Sequence, residues 1–118
     1  MPKSSSSFEQ GDIAIASIVY SSHAGFKRRP VLVASNTDYN KYSEDLIVVS
    51  ISSTPVKRKF DVKLTNDDLA EGELRLESKI ITDFPTTIEK ALVSEKIGRI
   101  SSQKLGEVKQ KIRELYRI

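Results

Sequence analysis

Three residue types in this chain can act on a charged substrate: Arg, Ser and Thr. Lys27, Arg28 and Arg29 run together directly before Pro30. Ser52, Ser53 and Thr54 run together directly before Pro55. An Arg side chain cannot easily serve as a base, because its guanidinium stays protonated. It can clamp a phosphate through two parallel N–H bonds and stabilise charge that develops on it. Hydroxyls can donate to the same oxygens. RNA brings its own nucleophile, the 2′-OH, so a site of this kind could cut RNA without a metal or a nucleophilic side chain. The same groups equally suit plain phosphate binding.

Other chemistry finds little support. There is no Cys, hence no disulfide framework and no thiolate metal site. His23 is the only His, so a metal site built on several His is excluded. It carries no nucleophile-elbow motif and reads as an exposed loop residue. The five Gly make no phosphate-cradling pattern. No cofactor is implied.

Each candidate residue must be held by an element. Pro30 disfavours the helical region for Arg29 and is best tolerated at a strand start or edge. Gly25 frees the backbone of a loop over Ser21 to Arg28. The second strand then runs from Pro30 to Ser35, and its consecutive apolar residues imply burial on both faces. Before it, Ile13 to Tyr20 reads as a first strand. After it, Asn36 to Asp45 is a polar connection with room for a helical turn. Leu46 to Ile51 is a third strand that delivers Ser52.

Beyond the hydroxyl turn, Phe60, Val62 and Leu64 alternate with polar residues at the strand period. Thr65 caps a short turn over Asn66 to Ala70 that Gly72 stops. Glu73 to Thr82 and Lys90 to Ile97 read as further strands, the latter ended by Gly98, with a turn at Asp83 to Thr87. Leu105, Val108, Ile112 and Leu115 lie on one face of a C-terminal helix capped by Ser101 or Ser102. Lys104, Glu107, Lys109, Lys111 and Glu114 cover its other face. Gly106 permits close approach to a strand. The class is mainly β, a small barrel plugged by one amphipathic helix.

At 118 residues one domain is expected, over residues 10–118, after a polar, Ser-rich, disordered tail over 1–9. No apolar run approaches the roughly 20 residues that span a bilayer, and the N-terminus lacks the apolar core of a secretory signal. A cytoplasmic location without membrane contact follows as the expectation. The net charge is +3. Basic clusters at Lys27–Arg29 and Lys57–Lys59 stand apart from the acids of Asp67–Glu77, so one face could meet a phosphate backbone.

Four segments occur in an order that resembles the MazF/PemK family of toxin endoribonucleases. They are GDIAIASIVY, GFKRRPVLVASNTDYN, DLIVVSISST and EKIGRISSQKLGEVKQKIREL. The shared pattern is a Gly-Asp-hydrophobic strand, a loop ending in Arg-Pro-hydrophobic, a strand ending in a Thr/Ser turn, and Ile-Gly-Arg before a helix. It covers roughly residues 10 to 116.

The resemblance implies an SH3-like small barrel that forms a homodimer. It implies metal-independent cleavage of single-stranded RNA (mRNA), leaving a cyclic phosphate and a 5′-OH. It also implies a cognate antitoxin that blocks the RNA groove. The catalytic Arg of the family falls on Arg29 and the catalytic Thr on Ser52, which keeps the hydroxyl and loses the methyl. Lys27 and Arg28 would grip phosphates from the loop, with Ser53, Thr54 and Lys57 as further RNA contacts. Some members carry a Glu five residues before the Arg; here Ala24 stands at that position. His23, next to it, is the candidate for acid/base work. The alternative is a non-catalytic barrel that binds nucleic acid or a partner protein.

Overall fold

The computed structural model describes residues 7–19 and 25–118. Eight strands form one sheet: β1 Asp12–Val19, β2 Phe26–Val33, β3 Asp45–Ser52, β4 Asp61–Leu64, β5 Leu69–Gly72, β6 Ser78–Ile81, β7 Thr86–Glu89 and β8 Val93–Ile100. Two α-helices join them, α1 Thr37–Tyr42 and α2 Ser102–Tyr116. The strand order is β4-β6-β3-β2-β1-β8-β5, with β7 also paired to β3. The sheet curls strongly, and the whole is a mainly β small barrel with a C-terminal helix, as the alternation and the late amphipathic run predict.

Every pairing within the sheet is antiparallel. β6 and β7 behave as one bent strand along β3. β7 pairs Asp45 with Glu89 and Val48 with Thr86, while β6 pairs Ile51 with Ile80 and Ser52 with Lys79. The register slips between the two pairings, and the surplus residues bulge out around Pro85. The expected turn at Asp83 to Thr87 is thus shorter, because Thr86 and Thr87 already belong to β7.

The pleat explains the unbroken apolar runs. Leu32, Val49 and Ile51 point to one face, where they meet Ile13, Val62, Leu64, Ile80 and Ile100 under Val108 of α2. Val31, Val33, Leu46 and Val48 point to the other, where they meet Ala14, Ala16 and Ile88. Both faces are therefore buried over Val31–Val33 of β2 and Leu46–Ile51 of β3, as the consecutive apolar residues require. Phe8 joins the second cluster at 8% exposure, although its Ser-rich surroundings place it in a tail. Its ring area outweighs the polarity of its neighbours. Residues 1–6 lie outside the described part.

Several boundaries differ from the sequence reading. β2 begins at Phe26, not Pro30, because residues 26–29 pair with β1 from Val19 to Ala16. Pro30 is tolerated inside the strand because the β3 ladder stops at Val31, leaving no bond on that side for it to lose. The turn after Thr65 is a three-residue 3-10 segment, Asn66–Asp68, after which Leu69–Gly72 is strand instead of helix. The strand expected over Glu73 to Thr82 is confined to Ser78–Ile81.

Gly98 does not end β8 but lies within it. A Cβ there would stand 2.7 Å from the Glu71 carbonyl oxygen, so β5 can approach only a glycine. In α2, Ser101 is the cap, its hydroxyl accepting from the Lys104 N–H at 3.1 Å. Lys104 is buried instead of solvated, its Nζ 3.5 Å from Asp68 Oδ1 and also paired with Glu107. Gly106 faces open space, with nothing within 4 Å of a Cβ, so it serves no close approach to a strand. Among the described residues no helix is long and apolar enough to cross a membrane.

Candidate active site

Arg29 and Ser52 come from adjacent strands. The β2–β3 ladder pairs Val33 with Val48, Leu32 with Val49 and Val31 with Ser50. Two residues further along each strand stand Arg29 and Ser52. The strand period of two carries both side chains to one face, the face of Val31 and Ser50. Both lie two residues beyond the last pair of that ladder, Val31 with Ser50, at the end where β2 and β3 part. Arg29 is exposed and Ser52 half-buried, so the pair opens to solvent beyond the edge of the second apolar cluster.

The hydroxyl turn is ordered by its own bonds. Ser52 Oγ accepts from the Thr54 N–H at 3.2 Å and bonds Thr54 Oγ1 at 3.2 Å. This Ser-turn geometry holds Ser52 without a methyl group to fix its rotamer. Ser53 and Thr54 are exposed beside it.

The three cations part company. Lys27 and Arg28 are strand residues, not loop residues, facing Ile18 and Ser17 across the β1 ladder. Lys27 shares the face of Arg29, two residues away. Arg28 takes the opposite face, where its guanidinium donates to Ser94 Oγ at 2.9 Å and lies 3.6 Å from Glu95. Lys57 lies further along, at the β4 edge, on a groove of about 380 Å³ between β4 and α2 that Lys59, Asp61, Lys63 and Lys111 also line. The neighbouring Arg58 pairs with Asp83. His23 and Ala24 lie outside the described residues. Among those described, no cluster of three or more His, Cys, Asp or Glu could hold a metal ion.

A second constellation, missed as chemistry in the sequence, explains two of the shared segments. Asp12 is fully buried and accepts from the Glu9 N–H at 2.8 Å and from Arg99 Nε at 3.0 Å. Lys96 Nζ lies 3.4 Å from the same carboxylate. The hydrogen bond to Asp12 holds the Arg99 pKa above its ordinary value, with further help from the charges of Asp12, Glu71 and Glu9 against the cost of burial. The Asp of Gly-Asp and the Arg of Ile-Gly-Arg are therefore one ion pair that pins β1 to β8. An Asp at a strand start with an Arg far along the chain was the available signal, but spacing alone does not pair them.

A family model described as PemK-like, MazF-like toxin of type II toxin-antitoxin system matches residues 9–116. The chain belongs to that family. The family's fold recurs in solved structures of low identity. An endoribonuclease from Mycobacterial species superposes with a TM-score of 0.77 at 14% identity, covering 98% of this chain and 97% of that one. An endoribonuclease in complex with its cognate antitoxin, also from Mycobacterial species, gives 0.72 at 15%, covering 95% of each chain. MazE-MazF (Form-II) from Deinococcus radiodurans gives 0.77 at 19%, covering 95% and 97%. No curated protein matches the sequence. At these identities the structural likeness speaks to the fold, while the family model speaks to the sequence.

Proposed function

We propose that this chain is a toxin endoribonuclease that cuts single-stranded RNA without a metal, by attack of the 2′-OH on the adjacent phosphate. Membership of the PemK-like, MazF-like toxins supports the reading, and solved structures of this fold are named as endoribonucleases. The observation that carries it is the β2–β3 register, which favours Arg29 and Ser52 acting on one phosphate. The Arg29 guanidinium stabilises the charge that builds on the phosphate oxygens, and the Ser52 hydroxyl donates to the same group. The 2′-oxygen bonds phosphorus as the bond to the 5′-oxygen breaks, giving a cyclic phosphate and a 5′-OH. Lys27, Ser53 and Thr54 border the pair and steady the strand. Arg28 and Lys57 reach more distant phosphates, and His23 is the candidate acid or base.

A cognate antitoxin blocks this face; support comes from a solved structure of this fold named as an endoribonuclease in complex with its cognate antitoxin. The working unit is a homodimer in the cytoplasm. The test is incubation with a varied pool of single-stranded RNA in EDTA. Cleavage with cyclic-phosphate ends is expected. Salt-dependent binding without any product at high protein concentration would instead leave a barrel that binds RNA and does not cut it. Ser52→Ala should slow cleavage roughly tenfold in single-turnover assays, the loss of one neutral hydrogen bond. An unchanged rate would remove Ser52 from the site.

A further inference from the structure

One row of paired residues crosses three strands on the face that carries Arg29. Ser52 of β3 is the direct partner of Lys79 on β6, and Lys79 is the direct partner of Lys63 on β4. Partners in register share a face, so Ser52, Lys79 and Lys63 stand side by side, and Arg29 lies on the same face beyond the end of the β2–β3 ladder. Two strand spacings make the row about 10 Å long. Like charges directly opposite one another cost stability, yet Lys79 and Lys63 are so placed.

Lys79 is the unusual member. It is 8% exposed, a rare burial for Lys. Its one charge partner is Asp61, diagonal to it across β4, with Nζ 3.8 Å from Asp61 Oδ2. That is too long for a hydrogen bond, so among the described residues none of the three ammonium N–H groups is used in one. Asp61 Oδ2 accepts instead from the Arg58 N–H at 2.8 Å, and Asp61 Oδ1 is buried with no hydrogen-bond partner among the described residues. The carboxylate thus holds the ammonium in place electrostatically without consuming its donors.

We infer that Lys79 is a phosphate-binding residue of the same site, held beside Ser52 by Asp61, with Lys63 as the outer cation of the track. The ligand is the backbone phosphate next to the one at Arg29 and Ser52 in a single-stranded RNA. This inference rests on the reading proposed above for that face, and its test separates the two.

Lys79→Met keeps the length of the side chain and removes the charge. Single-turnover cleavage should fall about tenfold to a hundredfold. Binding of a strand with 2′-deoxy residues, which cannot be cut, should lose about 0.7 from the slope of log K against log salt. Lys79→Arg should stay within a few-fold of wild type in both. Because Lys79→Met strands Asp61, the double variant Asp61→Asn with Lys79→Met is measured beside it. It should regain thermal stability and not regain cleavage or the salt slope. Recovery of both by the double variant would make Lys79 merely the structural partner of Asp61 and overturn the inference. So would wild-type rates and an unchanged slope in folded Lys79→Met. A wild type that binds RNA but never cuts it sinks the endoribonuclease reading alone, since the salt slope still reports the contact. Absence of RNA binding overturns both.

Discussion

Arg29→Ala should lower single-turnover RNA cleavage about a hundredfold to a thousandfold and leave the fold intact. That loss corresponds to about 2.7–4 kcal/mol of transition-state stabilisation, the usual cost of deleting one preorganised donor. The size follows from the backbone. Arg29 sits in a strand paired on one side to Ala16, preceding a proline whose own φ is fixed. The guanidinium is therefore presented with little loop entropy left to lose. Its exposure means that truncation opens no cavity in either apolar cluster. Melting within a few degrees of wild type, with an unchanged circular dichroism spectrum, is the accompanying result. Cleavage within threefold of wild type would show that another residue carries the charge stabilisation.

Arg99→Met should cost about 3 kcal/mol of folding stability. Asp12 is fully buried, and removing Arg99 leaves its Oδ1 without that charged donor, while Oδ2 keeps the Glu9 N–H and Lys96. Breaking a buried pair from one side costs roughly 3–5 kcal/mol, and Lys96, still 3.4 Å away, keeps the loss at the lower end. Denaturant titration should show a lower midpoint with the same slope, since the surface exposed on unfolding is unchanged. A loss under about 1 kcal/mol would mean that Lys96 alone suffices. The sign of the pH dependence is fixed by the raised Arg99 pKa. A group raised on folding contributes fully below its unfolded value and loses that contribution only as pH climbs past the folded one. The difference between wild type and variant should therefore stay flat between about pH 7 and 10.

Much of the sheet is legible in the chain because hydrophobic periodicity reports burial directly. The consecutive apolar residues of Val31–Ala34 and Leu46–Val49 announce strands covered on both faces, and clusters on both faces cover them. The C-terminal helix is equally plain, from its cap at Ser101 to Val108 against the sheet. Boundaries set by partners are not. Lys27 and Arg28 carry no apolar signal, yet β1 draws them into a strand, which turns an expected phosphate-gripping loop into a rigid ladder. Gly98 looks like a stop because a glycine in isolation favours one; only the approach of β5 reveals its other use. Lys104 looks solvated at its helical position until Asp68 arrives from a distant turn.

The site divides the same way. Arg29 before Pro30 and hydroxyls after an apolar strand are visible locally. That Lys79 stands beside Ser52 depends on the slipped register of β6 along β3, which no local pattern encodes. The Asp12–Arg99 pair joins residues 87 apart in the chain and is equally invisible to any short window.

That last contact also sets the order of events as the polypeptide leaves the ribosome. β1, β2 and β3 emerge early, and with them Arg29 and Ser52. The strand that completes β1 on its other edge, and the helix that closes the first cluster, follow much later in the chain. Contacts of such sequence separation form late and slowly. A nascent chain therefore carries every group of the candidate site well before it carries a rigid sheet to aim them. The aim of Arg29 and Ser52 thus waits on β8 and α2, elements paired to neither residue in the sheet.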